Sequence, residues 1–184
     1  MAVTPPSPIS PWAVAFCVVS FDIELGQKLD SIYPPNVEFG EDEIVQVCFN
    51  SFPDSNMGID GGLVYFFRIK RTRMSHEPSS AAAKKKSRMT TGQRYYYAYV
   101  YFTQKKDSRC KRGYLQKSLV LITKRPYIGL YKKVVKNIGH HFFEFDHAAP
   151  EADGDTGSEL LQTCFNNILR WYTVLFFVHS NLLE

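Results

Sequence analysis

The 184 residues contain no GxGxxG, no GxxxxGKS or GxxxxGKT and no GxSxG, so neither a phosphate-cradling loop nor a nucleophile elbow can be assigned. No CxxC pair occurs among the four cysteines, Cys17, Cys48, Cys110 and Cys164, which leaves zinc-ribbon and thioredoxin-type motifs without support. Cys17 and Cys48 fall inside apolar runs, where a thiol acts as a small hydrophobe, and the set reads as reduced and structural. The proline-bearing start, Met1 to Pro11, lacks the basic segment and apolar core of a secretory leader. The longest late apolar run, Trp171 to Val178, is broken by Thr173 and falls well short of the roughly 20 residues that a membrane-spanning helix needs. These absences predict a cytosolic chain with no spanning segment.

What is present favours one domain with a sizeable core. Hydrophobic residues make up 45% and aromatic ones 15%, while 22% charged is too few for a highly charged disordered chain. The net charge of +4 conceals a segregation along the chain. Residues 1–67 carry nine acids and one base, residues 68–112 fourteen bases and two acids, and residues 113–184 seven of each. An acidic front and a basic middle can steer charged partners but do not decide the fold.

Trp12 to Phe21 is a nearly unbroken run of β-branched and aromatic residues, as a strand covered on both faces requires. Gly26 supplies a turn, and Gln27 to Tyr33 alternates loosely before Pro34 and Pro35, giving a hairpin. Glu41, Asp42 and Glu43 suit a helix start, and Ile44, Val47 and Cys48 recur at helical spacing up to Pro53. Leu63 to Ile69, Arg94 to Thr103 and Tyr114 to Thr123 read as a meander, with Tyr95, Tyr97, Tyr99 and Tyr101 on one face and Tyr96, Ala98, Val100 and Phe102 on the other. Thr72 to Gln93 has too little apolar content to order itself and reads as a mobile basic loop. Pro126 opens a helix from about Tyr127 to Ile138, with Ile128, Tyr131, Val134, Val135 and Ile138 on one stripe and Lys132, Lys133 and Lys136 opposite. After an acidic linker from Pro150 to Ser158, helical spacing resumes from Leu160 to Trp171. The expected order is β-β-α-β-β-β-α-α, an α+β fold with a five-stranded antiparallel sheet.

Three clusters invite chemistry. His140, His141, Glu144 and His147 have the three- and four-residue spacings of zinc ligands on a helix, but histidines at a helix end also serve the C-terminal carbonyls, and no metal or cofactor is assigned. The tyrosine row resembles a stacking platform for single-stranded RNA, yet such rows usually pack, and no RNP-like pattern accompanies it; nucleic acid is not expected as a partner. The candidate contacts for a protein or an anionic membrane are Lys84, Lys85, Lys86 and Arg88 in the loop and Arg109, Lys111 and Arg112 near the last turn of the meander. No catalytic residue is identified.

Three segments, Phe21 to Tyr33 (FDIELGQKLDSIY), Ser51 to Ser55 (SFPDS) and Tyr99 to Phe102 (YVYF) followed by Lys111 to Ile122 (KRGYLQKSLVLI), resemble the upstream segment of DENN-domain proteins. The similarity is nearest to their small endosomal subgroup and runs over about residues 12–171. It implies a longin-like fold, one helix on one sheet face and two on the other. It further implies part of a guanine-nucleotide exchange factor for Rab-type GTPases, acting on endosomal membranes with a downstream DENN lobe. That lobe is absent from this chain, so the segment is expected to be inactive alone, or to act as a longin-like trafficking adaptor without exchange activity. Residues 1–11 are expected to be disordered, 12–171 to form the upstream domain with its loop at 72–93, and 172–184 to be an atypical apolar tail.

Overall fold

The computed structural model describes residues 12–53, 62–72, 94–108, 111, 113–148 and 156–181, with residues 145–148, 156 and 171–181 described by their backbone alone. Five strands, β1 (Ala13–Asp22), β2 (Gly26–Tyr33), β3 (Leu63–Lys70), β4 (Tyr95–Lys106) and β5 (Tyr114–Thr123), form one antiparallel sheet in the order β2-β1-β5-β4-β3. The unbroken apolar runs take the inner positions: β1 lies between β2 and β5, and β5 in the middle. The β1–β2 and β4–β5 turns end in Gly26 and Gly113, both with positive φ. The first turn is braced by the Asp22 carboxylate, which accepts the N–H groups of Glu24 and Leu25 at 2.7 and 2.9 Å.

The alternation of β4 sorts two cores. On one face Tyr99 and Tyr101 join Phe16, Val18, Leu119 and Leu121 under two helices, α2 (Ile128–Ala148) and α3 (Thr156–Asn181). On the other, Ala98, Val100 and Phe102 join Cys17, Val19, Val120 and Ile122 under a single helix, α1 (Glu41–Asn50). Tyr131, Val135 and Phe142 follow the helical repeat on α2, as do Leu161, Phe165 and Ile168 on α3, so each helix lays one stripe on the sheet. Burying each such side chain is worth about 1.5–3 kcal/mol. The result is α+β with one helix against two, as the longin-like expectation requires.

The helix ends depart from the sequence reading. α2 continues ten residues beyond Ile138, because Phe142 and Phe143 extend its buried stripe over Tyr101. His140, His141 and Glu144 therefore stand within a helix and not at its end. α3 begins at Thr156, inside the stretch read as linker, and its backbone continues as helix to Asn181. Ile128 is 39% exposed and does not belong to the buried stripe.

Helix α1 is tied to the sheet at both ends. At its start the Glu43 carboxylate, 4% exposed, accepts the Gly40 N–H at 2.8 Å and the Thr72 N–H at 2.9 Å, linking the helix entrance to the chain leaving β3. At its end the Ser118 hydroxyl of β5 donates to the Ser51 carbonyl. Between these, the Gln46 amide accepts the Lys70 N–H at 3.0 Å and donates to the Lys70 carbonyl at 3.4 Å.

Candidate protein-interaction surface

The segments that carry the family resemblance converge on one corner of the α1 face. The Phe52 ring makes edge contacts with Phe21, centroids 6.0 Å apart, and with Phe102 at 5.9 Å, while Ser118 reaches the Ser51 carbonyl. Ser51 and Phe52 thus seat the end of α1 against residues from the other motifs. Their role is architectural.

Nine of the ten residues of α1 fall on three sides, and Ile44, half-buried, packs against the edge of the core. Glu43, Val47 and Cys48 are buried, Gln46 and Asn50 lie toward β3, where the Tyr65 hydroxyl donates to the Asn50 carbonyl, and Glu41, Asp42, Val45 and Phe49 share the outward side. Val45 is 64% and Phe49 66% exposed, the two one helical turn apart beside two carboxylates. A large aromatic and a branched aliphatic side chain on a helix braced by hydrogen bonds have the character of the anchors that partners with an apolar spot and basic surroundings engage, which makes this side the candidate surface. Sequence reasoning missed this stripe. Its signal was there, because Val45 and Phe49 are apolar residues off the stripe that buries Val47 and Cys48.

Of the basic candidates, Lys84, Lys85, Lys86, Arg88, Arg109 and Arg112 lie outside the described residues, as do residues 1–11 and the loop from 73 to 93. Lys111 is described, and its ammonium sits against the Glu24 carboxylate at the tip of the β1–β2 turn. Both side chains are exposed, so the pair contributes little stability. His140 Nε2 and His141 Nδ1 each lie 3.4 Å from a Glu144 oxygen, an exposed ion-pair arrangement, and among the described residues no group of three potential ligands could hold a metal. His147 is described by its backbone alone.

The titrating groups that depart from their ordinary values follow packing. Burial pushes the Cys17 and Cys48 thiols up, against the nucleophilic thiolate. Burial also raises the Tyr96 phenol, against the opposing pull of Arg71, whose guanidinium lies 4.5 Å above the same ring. The backbone N–H groups of Leu25 and Glu24 lower the Asp22 carboxyl. No helix of the described residues is long and apolar enough to cross a membrane.

Several curated proteins are similar to the chain in sequence. The chain is 38% identical over 161 residues to Protein DENND6 homolog of Dictyostelium discoideum, which covers 87% of this chain and 19% of that protein. It is 42% identical over 148 residues to Protein DENND6A of Gallus gallus, covering 78% of this chain and 25% of the relative, and 38% identical over 152 residues to Protein DENND6B of Homo sapiens, covering 77% and 26%. It therefore spans about a fifth to a quarter of the length of these curated relatives. No protein-family model matches the chain, and no solved structure does. The homologues of this chain are DENND6 proteins, relatives of the DENN-domain family.

Proposed function

We propose that this chain is the longin-like element of a DENN-type exchange factor, binding a Rab-type GTPase through the outward side of α1 without releasing its nucleotide unaided. The single observation that carries the reading is the similarity to DENND6 proteins over more than three quarters of the chain. The fold supports it, since the described residues build one sheet with one helix against two, the arrangement that the resemblance implies for an upstream lobe. Exchange requires a factor that favours the nucleotide-free GTPase over the loaded one. In the two-lobed arrangement the GTPase is gripped between lobes, and a single lobe offers only part of the binding energy.

The test is fluorescent GDP release from a panel of Rab GTPases, with a full-length DENND6 relative as positive control, run beside direct binding to each GTPase. Binding to at least one Rab, without accelerated release, is the expected result. Val45→Asp and Phe49→Ala should each weaken that binding by roughly tenfold or more, as for central anchor residues. Release near the control rate would overturn the half-machine reading. Absence of binding across the panel would overturn the Rab reading and leave the adaptor alternative.

A further inference from the structure

A second group of exposed apolar residues lies on the opposite side of the sheet from α1, in a stretch of the opposite charge. Tyr127, Ile128 and Leu130, at the start of α2, are 56%, 39% and 52% exposed. Arg125 precedes them in the chain and Lys132, Lys133 and Lys136 follow along the same helix, with Arg125, Lys133 and Lys136 exposed. Residues 108–143 hold nine Lys and Arg and no acid at all, so no carboxylate from this stretch neutralises the patch.

The patch is well supported from beneath. Tyr127 packs on Tyr131 at 5.8 Å, Tyr131 stacks on Trp12 at 5.0 Å and 7°, and Tyr131 meets Tyr99 at 5.1 Å, with Phe66 of β3 next in line at 6.0 Å. A ladder of aromatic rings thus fixes the first turn of α2. Its exposed residues are presented by a rigid base and not by a fraying end.

We propose that the start of α2 is a contact for anionic lipid, with Tyr127, Ile128 and Leu130 entering the headgroup boundary and Arg125, Lys132, Lys133 and Lys136 meeting the lipid charge. The chemistry fits this occupant better than nucleic acid or an acidic protein. Mixed aromatic and aliphatic side chains gain by leaving water for the acyl boundary, while lysines keep their ammonium groups at headgroup level and bury their stems. A helix offers a convex surface, which suits a flat bilayer better than a strand of bases needing a groove and stacking faces. The contact uses none of the residues of the α1 stripe, which lies on the other side of the sheet, and it leaves α1 facing away for a protein partner.

The experiment is co-sedimentation of the full chain with phosphatidylcholine vesicles, with and without phosphatidylserine, at low and high salt. The expected result is binding only when phosphatidylserine is present, lost at high salt, because each basic side chain near the surface contributes about fivefold. Lys132→Glu with Lys133→Glu and Lys136→Glu should lower binding by at least about 100-fold, whereas arginine at the three positions should preserve it. Ile128→Ser with Leu130→Ser, which leaves the charge intact, should lower it by roughly tenfold. Circular dichroism reports folding, and if the glutamate variant fails to fold, the serine variant decides. Unchanged vesicle binding by either folded variant overturns the proposal, as does loss of all binding on reversing Lys84, Lys85 and Lys86 alone. Binding to a single-stranded oligonucleotide or a polyglutamate peptide, with none to vesicles, overturns it in favour of those partners.

Discussion

Gly139 lies so close to Tyr101 that a methyl group added to it would overlap the tyrosine ring. The glycine sits near the middle of α2, where glycine ordinarily costs a helix about 1 kcal/mol relative to alanine. Here that cost is offset by contact, since the helix backbone comes down onto β4 and lets Phe143 stack on Tyr101 at 6.1 Å. Gly139→Ala should therefore reverse the usual sign and destabilise by about 1–3 kcal/mol, through overpacking. Urea unfolding measures it, and a variant as stable as wild type would mean that the helix can shift outward freely.

Glu43 should be the most sensitive polar residue of the α1 face. Its carboxylate, nearly sealed from water, serves two N–H groups, that of Gly40 at the helix entrance and that of Thr72, 29 residues beyond Glu43 itself. Glu43→Ala leaves both donors without this acceptor and should cost about 2–4 kcal/mol, with Glu43→Gln costing less because one carbonyl oxygen remains. Equal stability of the alanine variant and wild type would show that water reaches the site.

Alkaline pH should weaken the fold through its tyrosines. Burial pushes the Tyr99 phenol up to about 12. A free tyrosine ionises near 10, so between these values the unfolded chain loses a proton that the folded chain keeps. Stability is full below about pH 10 and falls as pH rises through that window. Tyr96 and Tyr101 are raised by burial as well, so Tyr99→Phe should reduce the alkaline loss without abolishing it. Urea midpoints at pH 8 and pH 11 decide it, and an identical loss in wild type and Tyr99→Phe would refute the assignment.

Where a segment's neighbours along the chain decide its structure, the sequence was readable. Tyr114 to Thr123 has the bounds expected of it, because a glycine turn and a basic turn enclose an apolar run, and the tyrosine row of β4 divides between the two cores by simple alternation. Where distant neighbours decide, it was not. Phe142 and Phe143 carry α2 past Gly139, which looks locally like a weak point, because Tyr101 lies against Gly139 and Phe143 and Phe142 enters the same core. Glu43 reads as an acid favoured by a helix start, and its second partner, the Thr72 N–H, becomes visible only in three dimensions. The basic residues singled out by charge lie mostly outside the described part of the chain, whereas the α1 stripe and the α2 patch arise from exposure, which periodicity reports only indirectly.

The edge strand β3 would end in an open rung were it not for Gln46. Its amide offers Lys70 the acceptor and the donor that a neighbouring strand would supply, so another molecule approaching that end finds the last pairing position taken. Edge strands left open are templates for sheet-to-sheet growth, and Val64 and Phe66 make this one apolar enough to be at risk. Gln46→Ala should change the melting temperature little but raise the rate at which concentrated samples polymerise into thioflavin-binding fibres. In that light Gln46 is as much a guard against polymerisation as a brace for its helix.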